Sequence, residues 1–346
     1  MPNTKPVRMA IAGLSHGHVY WIMKNWRRAD LELVGISEPD AALADHFAAQ
    51  FGYPREQIYS DLEAMLDAVR PEAVCAFGSI FEHLAVVEAC APRGIHVMVE
   101  KPLAVSEEHA RRMADLARTA GIHLITNYET TWYASTYEAK RLVEQGELGP
   151  VRKVVVHDGH EGPVEIGCNA EFLAWLTDPV LNGGGAVVDF GCYGANLTTW
   201  LMGGAEPTSV TAVLQTLKPA VYPRVDDEAT IILTYPQAQG IVQGSWNWPI
   251  ARKDMEVYGQ QGYAVAVDAT HMRVRLNDKV DELAYELPPA PAPVSDPFAY
   301  FVAVVRGEEV VTPGDLWSLE NGLTVVRILD AARRSAREGR TVSLSS

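Results

Sequence analysis

The stretch MAIAGLSHGHVYW, residues 9–21, decides how the first part of this chain folds. The apolar run VRMAIA (7–12) predicts a strand that ends at Gly13, and a stripe with helical spacing then predicts a helix: Val19, Ile22, Met23 and Trp26. A strand that passes through a tight glycine turn into a helix is typical of dinucleotide-binding units, where the turn holds a phosphate. Serine and histidine stand where the G-x-G-x-x-G pattern has its second and third glycines. The turn alone therefore leaves two interpretations open, a phosphate cradle and an ordinary strand-to-helix connection.

A metal site is a third interpretation of the same turn, because it holds His16 and His18. The two histidines lie two positions apart across a turn, which does not place them on one helical face. A catalytic zinc needs a third protein ligand, and the neighbouring sequence offers no cysteine, aspartate or glutamate. We therefore expect no metal.

The composition restricts the class of protein. The chain has 346 residues, of which 48% are hydrophobic and 21% charged, as in globular proteins with one large domain or two. A formal charge of −15 argues against nucleic acid and anionic membranes as partners. No apolar run approaches the roughly 20 residues that span a bilayer. The four cysteines are too few and too scattered for a disulfide framework, so we expect a cytoplasmic protein.

Two domains are predicted from the order of strands and helices. Up to about residue 124, five predicted strands alternate with helical patterns: 7–12, 31–37, 73–77, 95–99 and 123–128. One of these helices is predicted to start at a capping box of Ser60 and Glu63. Such alternation predicts an α/β fold with a doubly wound parallel sheet, in a domain of residues 1–124.

Residues 125–346 have a different pattern, in which extended segments separated by Gly, Pro and Asn dominate after residue 150. This pattern predicts an α+β domain on a large, mostly antiparallel open sheet, with one face packed and one free for association. We expect a homodimer or homotetramer through that sheet. A final amphipathic helix is predicted over 315–339, and we expect it to pack back toward the first domain.

Glu38 follows the second predicted strand, roughly 20 residues beyond the turn, where a carboxylate binds the ribose hydroxyls of NAD. A carboxylate there repels the 2′-phosphate of NADP, so NAD is favoured and NADP stays possible. The alternative is an acid that caps the next helix, a role equally open to Asp40.

Two further motifs carry reactive groups. Glu100, Lys101 and Pro102 follow a strand at the sheet edge where doubly wound folds bind ligands, although two solvated charges are an alternative. In NGGGAVVDFGCYG (182–194), a helix after the glycines would place Asp189 and Tyr193 on one face. A tyrosine has a pKa near 10 and needs a nearby cation, such as Lys101, to act as a base. The alternative is a buried helix with a capping acid and a core tyrosine.

The turn, the strand-end acid, EKP and GGGxxxDxGxY occur in this order, and together they resemble the Gfo/Idh/MocA family of oxidoreductases over nearly the whole chain. The resemblance implies a Rossmann domain, a second domain whose open sheet mediates oligomerisation, and an NAD(P) cofactor. It implies hydride transfer between nicotinamide and a hydroxyl or carbonyl of a sugar, polyol or sugar derivative. Two alternatives are an NAD-retaining glycosidase of the same family and a non-catalytic nucleotide-dependent sensor.

The resemblance also implies roles for individual residues. Lys101 matches the family's lysine beside the nicotinamide and the substrate hydroxyl, Glu100 the acid beside it, and Asp189 the acid of the DxGxH pattern. Tyr193 stands where many members have histidine, as in the similar aldose and dimeric dihydrodiol dehydrogenases, where tyrosine is the acid/base. Lys101 would then hold phenolate character on Tyr193.

Further contacts are expected from the same resemblance. The segment GSIFEH (78–83) departs from the family's TPxxxH, and the arginine common near Thr131 is missing. The substrate contacts are predicted to be Tyr128 and His160. The full set of predicted cofactor contacts is Gly13, Ser15, His16, Gly17, His18, Glu38, Ser79, His83, Glu100 and Lys101.

Overall fold

The computed structural model describes residues 5–278 and 280–344. Within these ranges the first domain contains a six-stranded sheet in the order β3-β2-β1-β4-β5-β6, with every pair parallel. This confirms the predicted doubly wound sheet, which extends past residue 124 to Asn127. The strands are β1 (Val7–Ala12), β2 (Leu31–Ser37), β3 (Ile58–Tyr59), β4 (Ala73–Ala76), β5 (His96–Glu100) and β6 (Leu124–Asn127).

The helices of the first domain differ from the prediction in two details. The first helix ends at Met23, and Trp26 lies beyond it with its indole nitrogen donating to the carbonyl of Phe51 at 3.0 Å. The third is capped by Asp61, not Ser60, because the Asp61 carboxylate accepts the Ala64 N–H at 2.8 Å. The helices are α1 (Val19–Met23), α2 (Ala41–Phe51), α3 (Leu62–Val69), α4 (His83–Cys90) and α5 (Glu107–Ala120).

The strand order reverses at β1, which pairs with β2 on one side and with β4 on the other. The loops after β1 and β4 therefore lie side by side, at the switch point where such sheets bind ligands. Gly13 has a φ of 83°, and a Cβ built on it would lie 2.7 Å from the backbone nitrogen of Gly78. The first glycine of the turn is required by both its conformation and this close approach.

The second domain contains a nine-stranded sheet, among the described residues, in the order β14-β13-β12-β11-β7-β10-β9-β8-β15. Every pair is antiparallel except β7 with β10, which confirms the large, mostly antiparallel sheet. The strands are β7 (Val151–Gly159), β8 (Ser209–Gln215), β9 (Glu228–Thr234), β10 (Gln239–Ser245), β11 (Arg252–Gly259), β12 (Tyr263–Ala266), β13 (His271–Arg275), β14 (Leu283–Glu286) and β15 (Val342–Ser343).

Helices cover one face of this sheet, and α9 and the last helix pack on it and on each other. The last helix begins at Leu319 and also enters the first domain, because Val326 belongs to the core around β4 and β5. The helices are α6 (Ala134–Glu144), α7 (Ala170–Leu176), α8 (Ala186–Asp189), α9 (Gly191–Leu201), α10 (Pro297–Val305) and α11 (Leu319–Glu338). In the part of the chain that is described, none of the helices combines the length and apolar character of a membrane span.

Candidate active site

The turn after β1 offers unused backbone donors. Leu14 donates its N–H to Glu38 at 2.8 Å, and His16 donates to the carbonyl of Phe77 at 2.8 Å. Among the hydrogen bonds of the described residues, none uses the N–H of Ser15 or Gly17. A Cβ built on Gly17 meets no atom within 4 Å, so the space beside these donors is open. Since α1 is only five residues long, the cradle depends on these two N–H groups rather than on a long helix dipole.

Glu38 lies directly behind this turn and is nearly buried. One carboxylate oxygen accepts the Leu14 N–H, and the other accepts the Asp40 N–H at 2.9 Å. Burial raises the pKa of Glu38, although these two hydrogen bonds oppose the shift. The cap of α2 is Asp40, which accepts from Ala42 and Leu43. Glu38 therefore does not cap the helix, and it stands beside the cradle as a ribose-binding carboxylate does.

Lys101 and Asp189 form a buried ion pair between the two domains. The Lys101 ammonium, at the end of β5, donates to the Asp189 carboxylate and to its backbone carbonyl at 2.9 Å. The second carboxylate oxygen accepts the indole N–H of Trp246 at 2.9 Å. Burial opposes both charges, but the contact raises the pKa of Lys101 and lowers that of Asp189, so both groups are charged at neutral pH.

The glycine run before Asp189 is set by close packing. A Cβ on Gly185 would lie 1.7 Å from the carbonyl oxygen of Asp226, which no side chain permits. The prediction of one helix carrying both Asp189 and Tyr193 is wrong: α8 ends at Asp189, Phe190 intervenes, and α9 begins at the next residue. The two side chains nevertheless line one cavity.

Tyr193 is 1% exposed and has two lysine ammonium groups near its ring. The ammonium nitrogens of Lys101 and Lys253 lie 5.2 Å and 4.6 Å from its ring centroid. Burial, with the carboxylates of Glu129 and Asp158, raises the pKa of Tyr193 well above 10. The expectation that Lys101 holds phenolate character on Tyr193 is therefore wrong in direction, since its ammonium is engaged by Asp189. In the structure Tyr193 therefore holds its phenolic proton.

A cavity of about 620 Å³ joins the cradle to these groups. Its wall includes seven of the predicted residues: His16, Gly17, His18, Lys101, His160, Asp189 and Tyr193. His160 follows directly after β7, whereas His157 pairs with Asp254 at 3.0 Å and lies outside this cavity. Residues i and i+3 of a strand face opposite sides, which is why His160 borders this cavity and His157 does not.

Four other predicted residues are buried near this cavity but do not line it. The Tyr128 ring is fully buried and packs edge-on against Tyr193, with 5.5 Å between centroids. Ser79 is engaged by Glu82, whose carboxylate accepts its hydroxyl at 2.8 Å. His83 contacts the carbonyl of Leu103 at 3.1 Å, and burial lowers its pKa to about 4. These three residues shape the loops around the site in this structure.

Glu100 is the fourth of these, and it corrects the argument against a metal. Its carboxylate lies 2.9 Å from His18 Nδ1 and 3.9 Å from His16 Nε2. Glu100 is thus a third residue near the two histidines that is able to bind a metal ion. Sequence distance concealed it, because the parallel sheet brings the ends of β1 and β5 together. His16 Nδ1, however, accepts the His18 N–H at 3.1 Å, which places the ring proton on the nitrogen that faces Glu100. That tautomer opposes metal binding, and a site without metal stays our prediction.

The sequence analysis did not identify Glu129, Asp158 and Lys253. Lys253, on β11, donates to the Glu129 carboxylate at 2.7 Å and lies 3.9 Å from an Asp158 oxygen. Strand alternation was an available signal for Asp158, which shares the buried face of β7 with Val154 and Val156. Lys253 belongs to no motif, and only the tertiary structure places it here.

Two family profiles match the chain. The one described as "Oxidoreductase family, NAD-binding Rossmann fold" covers residues 7–128, and the one described as "GFO/IDH/MocA C-terminal domain" covers residues 136–265. The chain belongs to the GFO/IDH/MocA family. It is therefore an oxidoreductase, and its cofactor is NAD(P).

Several characterised proteins are similar to this family member. Bovine (Bos taurus) trans-1,2-dihydrobenzene-1,2-diol dehydrogenase is 27% identical over 81% of this chain and 79% of its own length. The aldose-aldose oxidoreductase of Caulobacter crescentus, solved with glycerol, has a TM-score of 0.82 at 26% identity and covers 98% of this chain and 100% of its own. An inositol dehydrogenase homologue from Azotobacter vinelandii, solved with NAD+, shares the fold at a TM-score of 0.85 and 20% identity, covering 99% and 98% of the two chains.

The residues present fit the cofactor. The unused N–H groups of Ser15 and Gly17 would be available as donors to its phosphates, and the Glu38 carboxylate would be available to accept from a ribose hydroxyl. When bound, NAD(P) supplies the nicotinamide carbon that accepts or gives hydride.

Proposed function

We propose that this protein is an NAD-dependent dehydrogenase that acts on a secondary or anomeric hydroxyl of a sugar, polyol or sugar derivative. The observation that carries the proposal is one cavity wall holding the phosphate cradle, the Lys101–Asp189 pair and Tyr193. The relatives named for a diol and an aldose support the substrate class. In this proposal residues 1–124 bind the cofactor, and residues 125–346 bind substrate and mediate oligomerisation.

Each residue of the wall has a distinct task. Lys101, charged and fixed by Asp189, orients the substrate oxygen through its one remaining N–H donor. Tyr193 gives its proton to the carbonyl oxygen in reduction, and in oxidation the same oxygen receives the hydroxyl proton. Because burial and the nearby carboxylates raise the pKa of Tyr193, the phenol holds its proton in the free site, and oxidation requires that this proton first be lost. Of the two predicted substrate contacts, His160 lines the cavity, whereas Tyr128 does not line it and packs its ring against Tyr193.

The direct test is a panel of aldoses, polyols and cyclic diols with NAD+ or NADP+, followed by NADH absorbance. We expect substrate-dependent NADH formation with at least one class of polyhydroxylated substrate. Bound NAD with no net NADH would favour the cofactor-retaining glycosidase. Failure of every substrate in both directions, with cofactor bound, would contradict the dehydrogenase proposal.

Glu38 is expected to set the preference for NAD. Its buried carboxylate would repel a 2′-phosphate, so we expect the Kd of NADP+ to exceed that of NAD+ by about 100-fold. In Glu38→Gln the repulsion is gone, and the ratio of the two constants should fall about tenfold. Titration of cofactor into each variant measures this ratio. Asp40→Asn is the matched control, since it removes a charge two residues away. If the ratio fell equally in Asp40→Asn, the NAD preference would reflect the negative charge of the region rather than the Glu38 carboxylate itself.

The open sheet face is the proposed oligomer interface. Its strands expose apolar side chains that include Val213 (60%) and Ile232 (38%). Exposed apolar patches of this kind mark association surfaces. We expect a mass of two or four chains by light scattering, and a monomeric mass in Ile232→Glu. A wild-type monomer at micromolar concentration would contradict this proposal.

The compartment proposed is the cytoplasm. All four cysteines are unpaired, and three of them are buried, as expected for a protein made in a reducing environment. Cell fractionation with an antibody to the chain tests this location.

A further inference from the structure

A second cavity, of about 670 Å³, adjoins the catalytic cavity. Four residues belong to the walls of both: Glu129, His160, Phe190 and Lys253. The ion pair between Lys253 and Glu129 thus stands at the boundary between an inner space, which contains the cradle and Tyr193, and an outer space. The inner cavity must also admit the nicotinamide end of the cofactor, since His16, Gly17 and His18 form part of its wall. The outer cavity is therefore the available room for a larger substrate.

Asp158 gives the outer cavity a binding group. The residue is 1% exposed and lines this cavity. Among residues 5–278 and 280–344, neither of its carboxylate oxygens has a hydrogen-bond partner, and the Lys253 ammonium is 3.9 Å away. A buried polar group without a partner is costly unless a ligand or water satisfies it. The two free oxygens of Asp158 can accept hydrogen bonds from the hydroxyl groups of a ligand.

The remainder of the outer wall combines apolar and charged side chains. Ile250 and Val267 line it and are 69% and 43% exposed, respectively. On the same wall Arg252 is fixed by two hydrogen bonds to Asp254, at 2.8 and 2.9 Å. A pyranose ring has an apolar C–H face and an edge of hydroxyls. The apolar side chains of this wall match the face, and its charged side chains match the hydroxyls.

We propose that the outer cavity binds the second ring of a disaccharide, so that the preferred substrates are two-ring glycosides rather than free monosaccharides. The inference rests on the proposed dehydrogenase function and names the substrate class of the same site. The first ring lies in the inner cavity with the oxidised hydroxyl at Tyr193 and Lys101. The second ring crosses the Lys253–Glu129 boundary, with hydroxyls on Asp158 and its apolar face on Val267 and Ile250.

The test fills the outer cavity without touching the catalytic groups. Val267→Trp is compared with Val310→Trp, a matched control at a 77% exposed position that borders neither cavity. The probes are aldohexoses, their methyl glycosides, and disaccharides of the same sugars. Wild type is expected to have a kcat/KM at least tenfold higher for the best disaccharide than for its one-ring counterpart. In Val267→Trp the disaccharide value should fall tenfold or more, while the one-ring value changes less than twofold.

A measurement without turnover accompanies the kinetics. With NADH in place of NAD+, so that the disaccharide cannot be oxidised, the disaccharide should raise Tm in wild type and in Val310→Trp, and not in Val267→Trp. Equal kcat/KM for one-ring and two-ring probes, or equal loss for both in Val267→Trp, would overturn the inference and leave the dehydrogenase function standing. A changed oligomeric mass in Val267→Trp with unchanged kinetics would assign this wall to subunit contact and also overturn it. Absence of turnover with every one of these probes would also overturn the inference, and the wider panel of polyols and cyclic diols would then decide the proposed function.

Discussion

Replacement of Tyr193 by phenylalanine is expected to lower kcat by about 10²- to 10⁴-fold, the usual contribution of a positioned proton donor. The substitution removes only the hydroxyl, so the ring keeps its packing on Tyr128 and its place near the two lysine ammonium groups. Cofactor affinity and the free energy of unfolding should change little. Because the pKa of Tyr193 is raised, wild-type oxidation should accelerate toward alkaline pH, and the residual activity of Tyr193→Phe should lack this dependence.

Tyr128→Phe is the matched control for this prediction. Its ring touches that of Tyr193, its hydroxyl is buried without a hydrogen-bond partner among the described residues, and it does not border the catalytic cavity. We expect activity within about twofold of wild type and equal or greater stability, since removing an unsatisfied buried hydroxyl costs nothing. If both variants lost activity equally, Tyr193 would be a packing residue rather than the proton donor.

Lys101→Met is expected to abolish measurable turnover and to lower the free energy of unfolding by about 3–5 kcal/mol. The stability loss arises because Asp189 would keep a buried carboxylate with only the Trp246 indole as a side-chain donor. Denaturant unfolding measures the stability, and steady-state kinetics below the unfolding transition measures the activity.

The double variant Lys101→Met/Asp189→Asn separates the two effects. It removes both charges of the buried pair, so most of the lost stability should return, since a neutral pair requires no compensation. Activity should not return, because the substrate oxygen still lacks the ammonium. A double variant with near wild-type turnover would show that Lys101 serves only to neutralise Asp189.

The sequence predicted the elements that depend on local patterns. Five of the six strands of the first domain were placed within one or two residues because buried parallel strands are short apolar runs between turn residues, whereas the two-residue strand β3 was not predicted. Lys101, Asp189 and Tyr193 were recognised by motif, and the structure brings them to one cavity. The break between α8 and α9 at Phe190 was not predicted. The close approach of Gly185 to Asp226, which fixes where α8 starts, was not predicted either, because the two residues are distant in sequence.

The charges around Tyr193 were the part that sequence reasoning could not assemble. Glu129, Asp158 and Lys253 come from three separate segments, and each is an unremarkable charged residue in its own context. The effect of Glu129 and Asp158 on the Tyr193 pKa depends on burial and on short distances between the groups, which no spacing rule reports. The same holds for Glu100, which approaches His18 only through the pairing order of the sheet.

Helix α11 affects the order in which the parts of this chain can fold. Gly322 packs against Leu103, Val326 lies in the core around β4 and β5, and the Trp317 carbonyl accepts the Thr126 N–H at 3.3 Å. The first domain thus takes part of its core from α11, a segment far downstream in the sequence. Domains usually fold in order as they leave the ribosome, but the core of this one is complete only once α11 has been synthesised. Cofactor binding by the first domain is therefore expected to depend on α11.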